Sequence, residues 1–116
     1  MLLFPFYFLY LQAETYAIMK TTNEYIDLIK AHADELRTSF GVRTLRLFGS
    51  VSRGEQHEGS DVDVCVEMEP RMFLVVRLQR FLEQLLQCPV DVIHMHPHIN
   101  KYLLNDINRD GIYVIN

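Results

Sequence analysis

The chain has 116 residues, of which 49% are hydrophobic, and its formal net charge is −4. This length is enough for one domain with a single α/β core. The acidic balance argues against a primary nucleic-acid binder, which needs basic charge to offset phosphate repulsion. Cys65 and Cys88 lie in apolar stretches without metal-ligand spacing, so we expect free, buried thiols in a cytoplasmic protein.

The start of the chain is an apolar, aromatic segment that contains Pro5. It lacks the basic start of a signal peptide and is too short to span a bilayer, so we expect no membrane association. Two interpretations are open. Either Met19 is the natural start and residues 1–18 come from an upstream start codon, or residues 1–18 are a real extension that packs on a partner or a groove. We favour the first and predict a domain over residues 19–116.

Apolar spacing and turn residues predict helices that alternate with strands. Thr21 and Glu24 form a capping box at the start of the first helix, and Gly41 ends that helix. Later elements are a strand over 42–48, a loop over 49–60 with a short helical turn after Ser50, a strand over 61–68, a helix over 71–87, a strand over 90–94, a helix over 99–110 and a closing strand over 112–115. This order predicts an α/β, two-layer fold with helices packed on a mixed sheet.

The most informative spacing is Gly49-Ser50, followed after ten residues by Asp61-Val62-Asp63. Glycine lets backbone amides approach a phosphate closely, because no side chain is in the way. Two carboxylates at i and i+2 of a strand point to the same face, roughly 6–7 Å apart. Such oxygen ligands suit Mg²⁺, which also binds substrate phosphates. The spacing therefore predicts a nucleotidyl-transfer site.

Two further residues extend this candidate site. Arg53 lies in the polar segment between its two halves, and a guanidinium matches phosphate oxygens. Asp91 lies within an apolar run, where an unpaired carboxylate is costly to bury, so we expect it to face a metal, a partner or water. Each piece alone is typical of an ordinary turn or strand edge, and their combination favours a catalytic site. We interpret His94, His96 and His98 as solvated loop residues rather than a zinc site.

Three segments resemble the minimal nucleotidyltransferase (MNT) family, whose members are small proteins of the DNA polymerase β-like nucleotidyltransferase superfamily. They are Gly49-Ser50-Val51-Ser52-Arg53-Gly54, Ser60-Asp61-Val62-Asp63-Val64 and Pro89-Val90-Asp91-Val92-Ile93. Ser52 stands where the family more often has alanine. The resemblance implies an acidic triad that binds two Mg²⁺ ions, with the turn and the arginine on the phosphates of ATP. The metal and catalytic residues are then Asp61, Asp63 and Asp91, and the nucleotide-binding residues are Gly49, Ser50 and Arg53.

Many MNT proteins are antitoxins encoded beside a HEPN-domain toxin, and the studied ones transfer AMP from ATP to a tyrosine of that toxin. The resemblance therefore implies a protein adenylyltransferase that forms a complex with a HEPN ribonuclease and silences it. The shortness of the chain favours a protein acceptor. Two alternatives are open: a non-catalytic antitoxin that blocks its toxin sterically, and nucleotidyl transfer to a small molecule through an oligomer.

Overall fold

The computed structural model describes residues 20–116, so the predicted extension over residues 1–18 lies outside the described residues. Within residues 20–116, five helices and four strands follow one another. They are α1 (Thr22–Ala31), α2 (Ala33–Phe40), β1 (Thr44–Phe48), α3 (Gly49–Ser52), β2 (Val62–Glu67), α4 (Met72–Leu86), β3 (Val90–His94), α5 (Lys101–Asp110) and β4 (Ile112–Ile115). The predicted α/β class, with helices packed on a mixed sheet, is confirmed.

The first helix predicted from sequence is in fact two helices, separated by His32. The capping box forms as predicted, because the Thr21 amide donates to Glu24 Oε1 and the Glu24 amide donates to Thr21 Oγ1. His32 leaves helical geometry at φ −110° and ψ 18°. Its Nδ1 lies 3.0 Å from the Leu28 carbonyl oxygen, and its ring stands edge-on to Phe81 of α4. This contact between distant segments accompanies the break, and helical periodicity does not reveal it.

The strands form one mixed sheet in the order β3-β2-β1-β4. β2 is parallel to β3 and antiparallel to β1, while β4 is antiparallel to β1 on the other side. The register sets Asp63 beside Asp91 on β3 and beside Phe48 at the end of β1. The turn after β1 and the two carboxylates therefore meet at one end of the sheet.

The two faces of the sheet are covered differently. α1, α2 and α4 contribute to a large apolar core on one face, together with Val62, Val64 and Val66 of β2. On the other face, Phe48, Cys65 and Ile107 of α5 form a smaller cluster. Because side chains alternate along a strand, Asp63 shares the face of Cys65. The predicted carboxylate thus lies on the more thinly covered face, next to α5.

Both cysteines are free thiols, with Cys65 buried and Cys88 half-buried. Burial raises the pKa of both thiols, which makes them poor nucleophiles at neutral pH. No helix in the described part of the chain is long and apolar enough to cross a membrane. The cytoplasmic location and the domain boundary at residue 19 stay predictions.

Candidate active site

The Gly49-Ser50 turn lies where β1 passes into α3, a single helical turn. Gly49 has φ +75°, in the left-handed region that favours glycine. A Cβ at this position would also collide with Oδ2 of Asp63, because the backbone runs directly against that carboxylate. Glycine is therefore required twice here, for its backbone angle and for the close approach of Asp63. The predicted short helical turn is confirmed and begins at Gly49.

Two hydroxyl groups hold this turn in place. Thr22 Oγ1, on the first turn of α1, donates to the Val51 carbonyl oxygen at 2.6 Å. Ser52 Oγ donates to the Gly49 carbonyl oxygen at 2.7 Å. Ser52, the departure from the family pattern, thus adds a hydrogen bond within the turn. The loop that carries the candidate phosphate-binding residues is thus hydrogen-bonded both within itself and to α1.

The three predicted carboxylates lie at the adjoining ends of β2 and β3. Asp63 is half-buried, whereas Asp61 and Asp91 are exposed. Burial, followed by the negative charges of Asp91 and Asp61, raises the pKa of Asp63 to about 6, and Arg53 opposes this shift. The carboxylates are therefore close enough to repel one another. Arg53 offsets this repulsion only in part, so some of it is present in the folded chain.

The acidic residues suit a hard divalent cation by their chemistry. All three supply oxygen ligands, and a cation would relieve the repulsion that raises the pKa of Asp63. In residues 20–116, however, no three His, Cys, Asp or Glu side chains form a group that could hold a metal ion together. The interpretation of His94 as a solvated loop residue was wrong: it is the last residue of β3, it is half-buried, and its Nε2 lies 2.8 Å from the Met68 carbonyl oxygen. His96 Nδ1 accepts from the backbone N–H of His98 at 3.1 Å.

A cleft of about 400 Å³ lies between these strand ends and α5. Its lining joins both halves of the sequence motif to residues of α5. The lining residues are Phe48, Gly49, Ser50, Arg53, Asp63, Asp91, Ile93, Leu103, Asp106 and Asp110. Five of the six predicted site residues thus line one cleft, while the sixth, Asp61, is exposed outside this lining.

Arg53 lines the cleft, but its guanidinium already contacts two carboxylates. Its Nε lies 2.7 Å from Glu55 Oε1, and its Nη1 lies 2.6 Å from Asp110 Oδ2. Hydrogen bonds to Glu55 and then to Asp110 raise the pKa of Arg53 further, so it is always charged. If Arg53 binds a phosphate as predicted, its positive charge must therefore be shared between that phosphate and these two carboxylates.

Asp110 is a cleft residue that the sequence reasoning missed. It ends α5, and only 7% of its side chain is exposed. A sequence signal existed, because a carboxylate in the last turn of a helix opposes the helix dipole. An acid directly before the helix-ending Gly111 therefore needs a cationic partner. The structure supplies two, Arg53 and Arg109.

Comparisons with known proteins agree with this geometry. Residues 29–114 match the family model of the nucleotidyltransferase domain. Protein adenylyltransferase MntA of Thermococcus cleftensis is 38% identical over 98 residues, which cover 83% of this chain and 98% of that protein.

Solved structures share the fold. A proposed minimal nucleotidyltransferase superposes with a TM-score of 0.62 at 30% identity, over 80% of this chain and 95% of that one. A chain from the complex of the tri-AMPylated Shewanella oneidensis HEPN toxin with its MNT antitoxin gives a TM-score of 0.56 at 18% identity, over 77% and 71% of the two chains. On the evidence of the motif, the cleft and these matches, the chain belongs to the nucleotidyltransferase domain family and, within it, to the minimal nucleotidyltransferases.

Proposed function

We propose that this chain transfers AMP from ATP to a tyrosine of a HEPN-domain toxin and thereby acts as the antitoxin of that toxin. The observation that carries the proposal is the pairing of Asp63 with Asp91 against the Gly49 backbone, at the cleft of a nucleotidyltransferase domain. The relative from T. cleftensis is named a protein adenylyltransferase, and the S. oneidensis complex contains an AMPylated HEPN toxin. Both support a protein as the acceptor.

In this proposal the carboxylates and the turn bind opposite ends of the nucleotide's phosphate chain. Because no three acidic side chains of residues 20–116 group around one ion, Asp61, Asp63 and Asp91 would hold two Mg²⁺ ions only together with the substrate's phosphates. The ions would neutralise charge on the triphosphate and polarise its α-phosphate. The Gly49 amide and Ser50 would hold the β- and γ-phosphates, and Arg53 would supply positive charge beside them. Binding would therefore fix the α-phosphorus near Asp63 and Asp91.

The proposed reaction is an in-line displacement at the α-phosphorus. The tyrosine oxygen forms a bond to this phosphorus, the bond to the bridging oxygen breaks, and pyrophosphate leaves with the electron pair. Asp91 orients the attacking hydroxyl or accepts its proton. The chain itself forms no covalent bond, so its contribution is positioning and electrostatic stabilisation.

The test combines the purified full chain, Mg²⁺, ATP labelled on its α-phosphate and the HEPN-domain protein encoded beside this chain. We expect label on that protein. Asp63→Asn should slow labelling about 1000-fold, because a lost metal ligand removes several kcal/mol of transition-state stabilisation. Asp27→Asn makes the same chemical change at an exposed position on α1 and should label at the wild-type rate.

The outcomes separate the alternatives. If the partner is never labelled, while wild type and Asp63→Asn both neutralise toxicity, the antitoxin acts sterically and the enzymatic proposal fails. If label reaches a small molecule in place of the protein, the acceptor is wrong. Replacing the labelled tyrosine of the partner by phenylalanine must remove the label, and label that persists would contradict tyrosine as the target.

A further inference from the structure

Two arginines share one carboxylate at the wall of the cleft. Arg53 Nη1 lies 2.6 Å from Asp110 Oδ2, and Arg109 Nη2 lies 3.1 Å from the same oxygen. Arg109 Nε lies 3.0 Å from the other oxygen, Oδ1. The carboxylate is nearly buried, at 7% exposure, whereas the Arg53 side chain is 41% exposed. Asp110 is thus a fixed point to which a longer, more exposed side chain is attached.

The charges explain why this attachment leaves Arg53 able to bind an anion. Arg109 contacts both oxygens of Asp110 and so offsets its negative charge. Hydrogen bonds from Arg109, and then from Arg53, hold the pKa of Asp110 below its usual range, so this carboxylate is ionised at neutral pH. Asp110 is neutralised from one side by Arg109, and the charge of Glu55, the other carboxylate on Arg53, is screened because its side chain is exposed. Arg53 is therefore held in place without losing all its positive charge.

We infer that Asp110 is a positioning residue, which holds the Arg53 guanidinium at the cleft so that it can receive the phosphates of a nucleoside triphosphate, with Arg109 as its counter-ion. The inference rests on the proposed function, because it needs a triphosphate in the cleft. Without Asp110, the arginine side chain loses more rotamer freedom when it binds the anion. Triphosphate binding then weakens, while the groups at the reacting phosphorus, Asp63 and Asp91, stay in place.

The experiment measures AMP transfer at varied MgATP, together with direct binding of inorganic tripolyphosphate in the presence of Mg²⁺. We expect Asp110→Asn to raise the KM for ATP and the Kd for tripolyphosphate about tenfold, with kcat within about threefold of wild type. Asp110→Glu keeps the charge and displaces the carboxylate by one carbon, so its KM should lie between those of wild type and Asp110→Asn.

Asp34→Asn is the matched control. It removes the same charge from an exposed position on α2, outside the cleft lining, where Asp34 contacts Arg37 at 3.8 Å. It therefore measures what the loss of one paired negative charge does to anion binding without altering the cleft, and we expect a Kd for tripolyphosphate within about twofold of wild type. A tenfold weakening in this variant would show that Asp110 has no special role.

A double-mutant cycle tests whether Asp110 acts through Arg53. In an Arg53→Ala background, Asp110→Asn should have no further effect on tripolyphosphate binding, because no guanidinium is left to position. Thermal unfolding of each variant checks that it is folded. Should Asp110→Asn not fold, the cycle is run with Asp110→Glu.

Three further outcomes would overturn the inference and leave the proposed function standing: wild-type KM and Kd in the Asp110 variants, a loss in kcat rather than KM, or independent effects in the cycle. If the wild-type chain neither binds tripolyphosphate nor transfers AMP, the proposed function fails as well. The two failures are therefore distinguishable.

Discussion

On the face of the sheet covered by α1, α2 and α4, β2 contributes Val62, Val64 and Val66, which are fully buried. On the opposite face, next to α5, the alternate positions of the same strand carry Asp63 and Cys65. One strand therefore serves two purposes, since each second side chain points the other way. The difference shows that stability and the candidate chemistry are separated by face rather than by segment.

The two faces also differ in what folding costs. The large core gains free energy from buried apolar side chains, whereas the face of α5 keeps a half-buried carboxylate whose pKa is raised to about 6 by burial and by neighbouring negative charges. Functional sites often carry such unfavourable interactions, which the remainder of the fold must offset. The free energy gained in the large core behind Asp63 offsets this cost and so allows the cleft to form.

The largest expected difference between the two faces is in core packing. Leu82 and Ile107 are both fully buried, one in the large core and one in the cluster under α5. We expect Leu82→Ala to lower the free energy of unfolding by about 3–4 kcal/mol and Ile107→Ala by about 2 kcal/mol, because the smaller cluster next to the cleft can collapse into the space. Urea unfolding measures both. A greater loss in Ile107→Ala would contradict the contrast between the faces.

The turn at the cleft provides the next test. Gly49 and Gly41 both have positive φ, but only at Gly49 would a Cβ collide with another residue, Asp63. Gly41→Ala should cost about 1 kcal/mol of unfolding free energy, from the backbone angle alone. Gly49→Ala should cost about 2 kcal/mol and should also abolish AMP transfer, since Asp63 must move. Equal stability losses, with transfer retained in both variants, would show that the close approach is unimportant.

The smallest expected effect is a pH dependence at Asp63. The pKa of this carboxyl is about 6 in the folded chain and about 3.9 when unfolded, so its ionised form opposes folding. Below the unfolded value the penalty is absent; it grows as the pH rises towards 6 and is complete above it. With a chelator present to remove divalent cations, Asp63→Asn should therefore be more stable than wild type at pH 8. We expect a difference on the order of 1 kcal/mol in the free energy of unfolding, because solvent screens part of the charge repulsion.

The same comparison at about pH 3 is the control. Below the unfolded pKa of about 3.9 the Asp63 carboxyl is mostly protonated in both the folded and the unfolded wild-type chain, so the two unfolding free energies should converge. Thermal or urea unfolding at the two pH values measures the difference. A variant that is no more stable than wild type at pH 8 would show that the charges around Asp63 do not oppose folding.

Most of the secondary structure was predictable because its signals are local. The capping box at Thr21 and Glu24, the helical spacing of α4 and the strand over Val90–His94 all depend on residues within a few positions of one another. The break at His32 was not predictable, because it accompanies a contact with Phe81 on a distant helix. Local periodicity continues through that residue without interruption.

Most of the candidate site, like most of the secondary structure, was predictable from local residue patterns. Gly49, Ser50, Asp63 and Asp91 were predicted because their residue types and spacing match a phosphate turn followed by strand-borne carboxylates, and all four line the cleft. Asp110 was missed because its partner Arg53 lies 57 residues earlier in the chain. A negative charge at the end of a helix indicates that a cationic partner is needed, but it does not identify the residue that supplies it.

Short-range patterns in the sequence were enough to establish the order of helices and strands, the α/β class and the presence of carboxylates shortly after a glycine turn. Which of these groups lie next to one another depends on the tertiary structure. The parallel register of β2 and β3 places Asp63 beside Asp91, and the position of α5 brings Asp110 to Arg53 and closes one side of the cleft. These pairings join distant segments and depend on how the whole core packs. No local stretch of sequence contains that information.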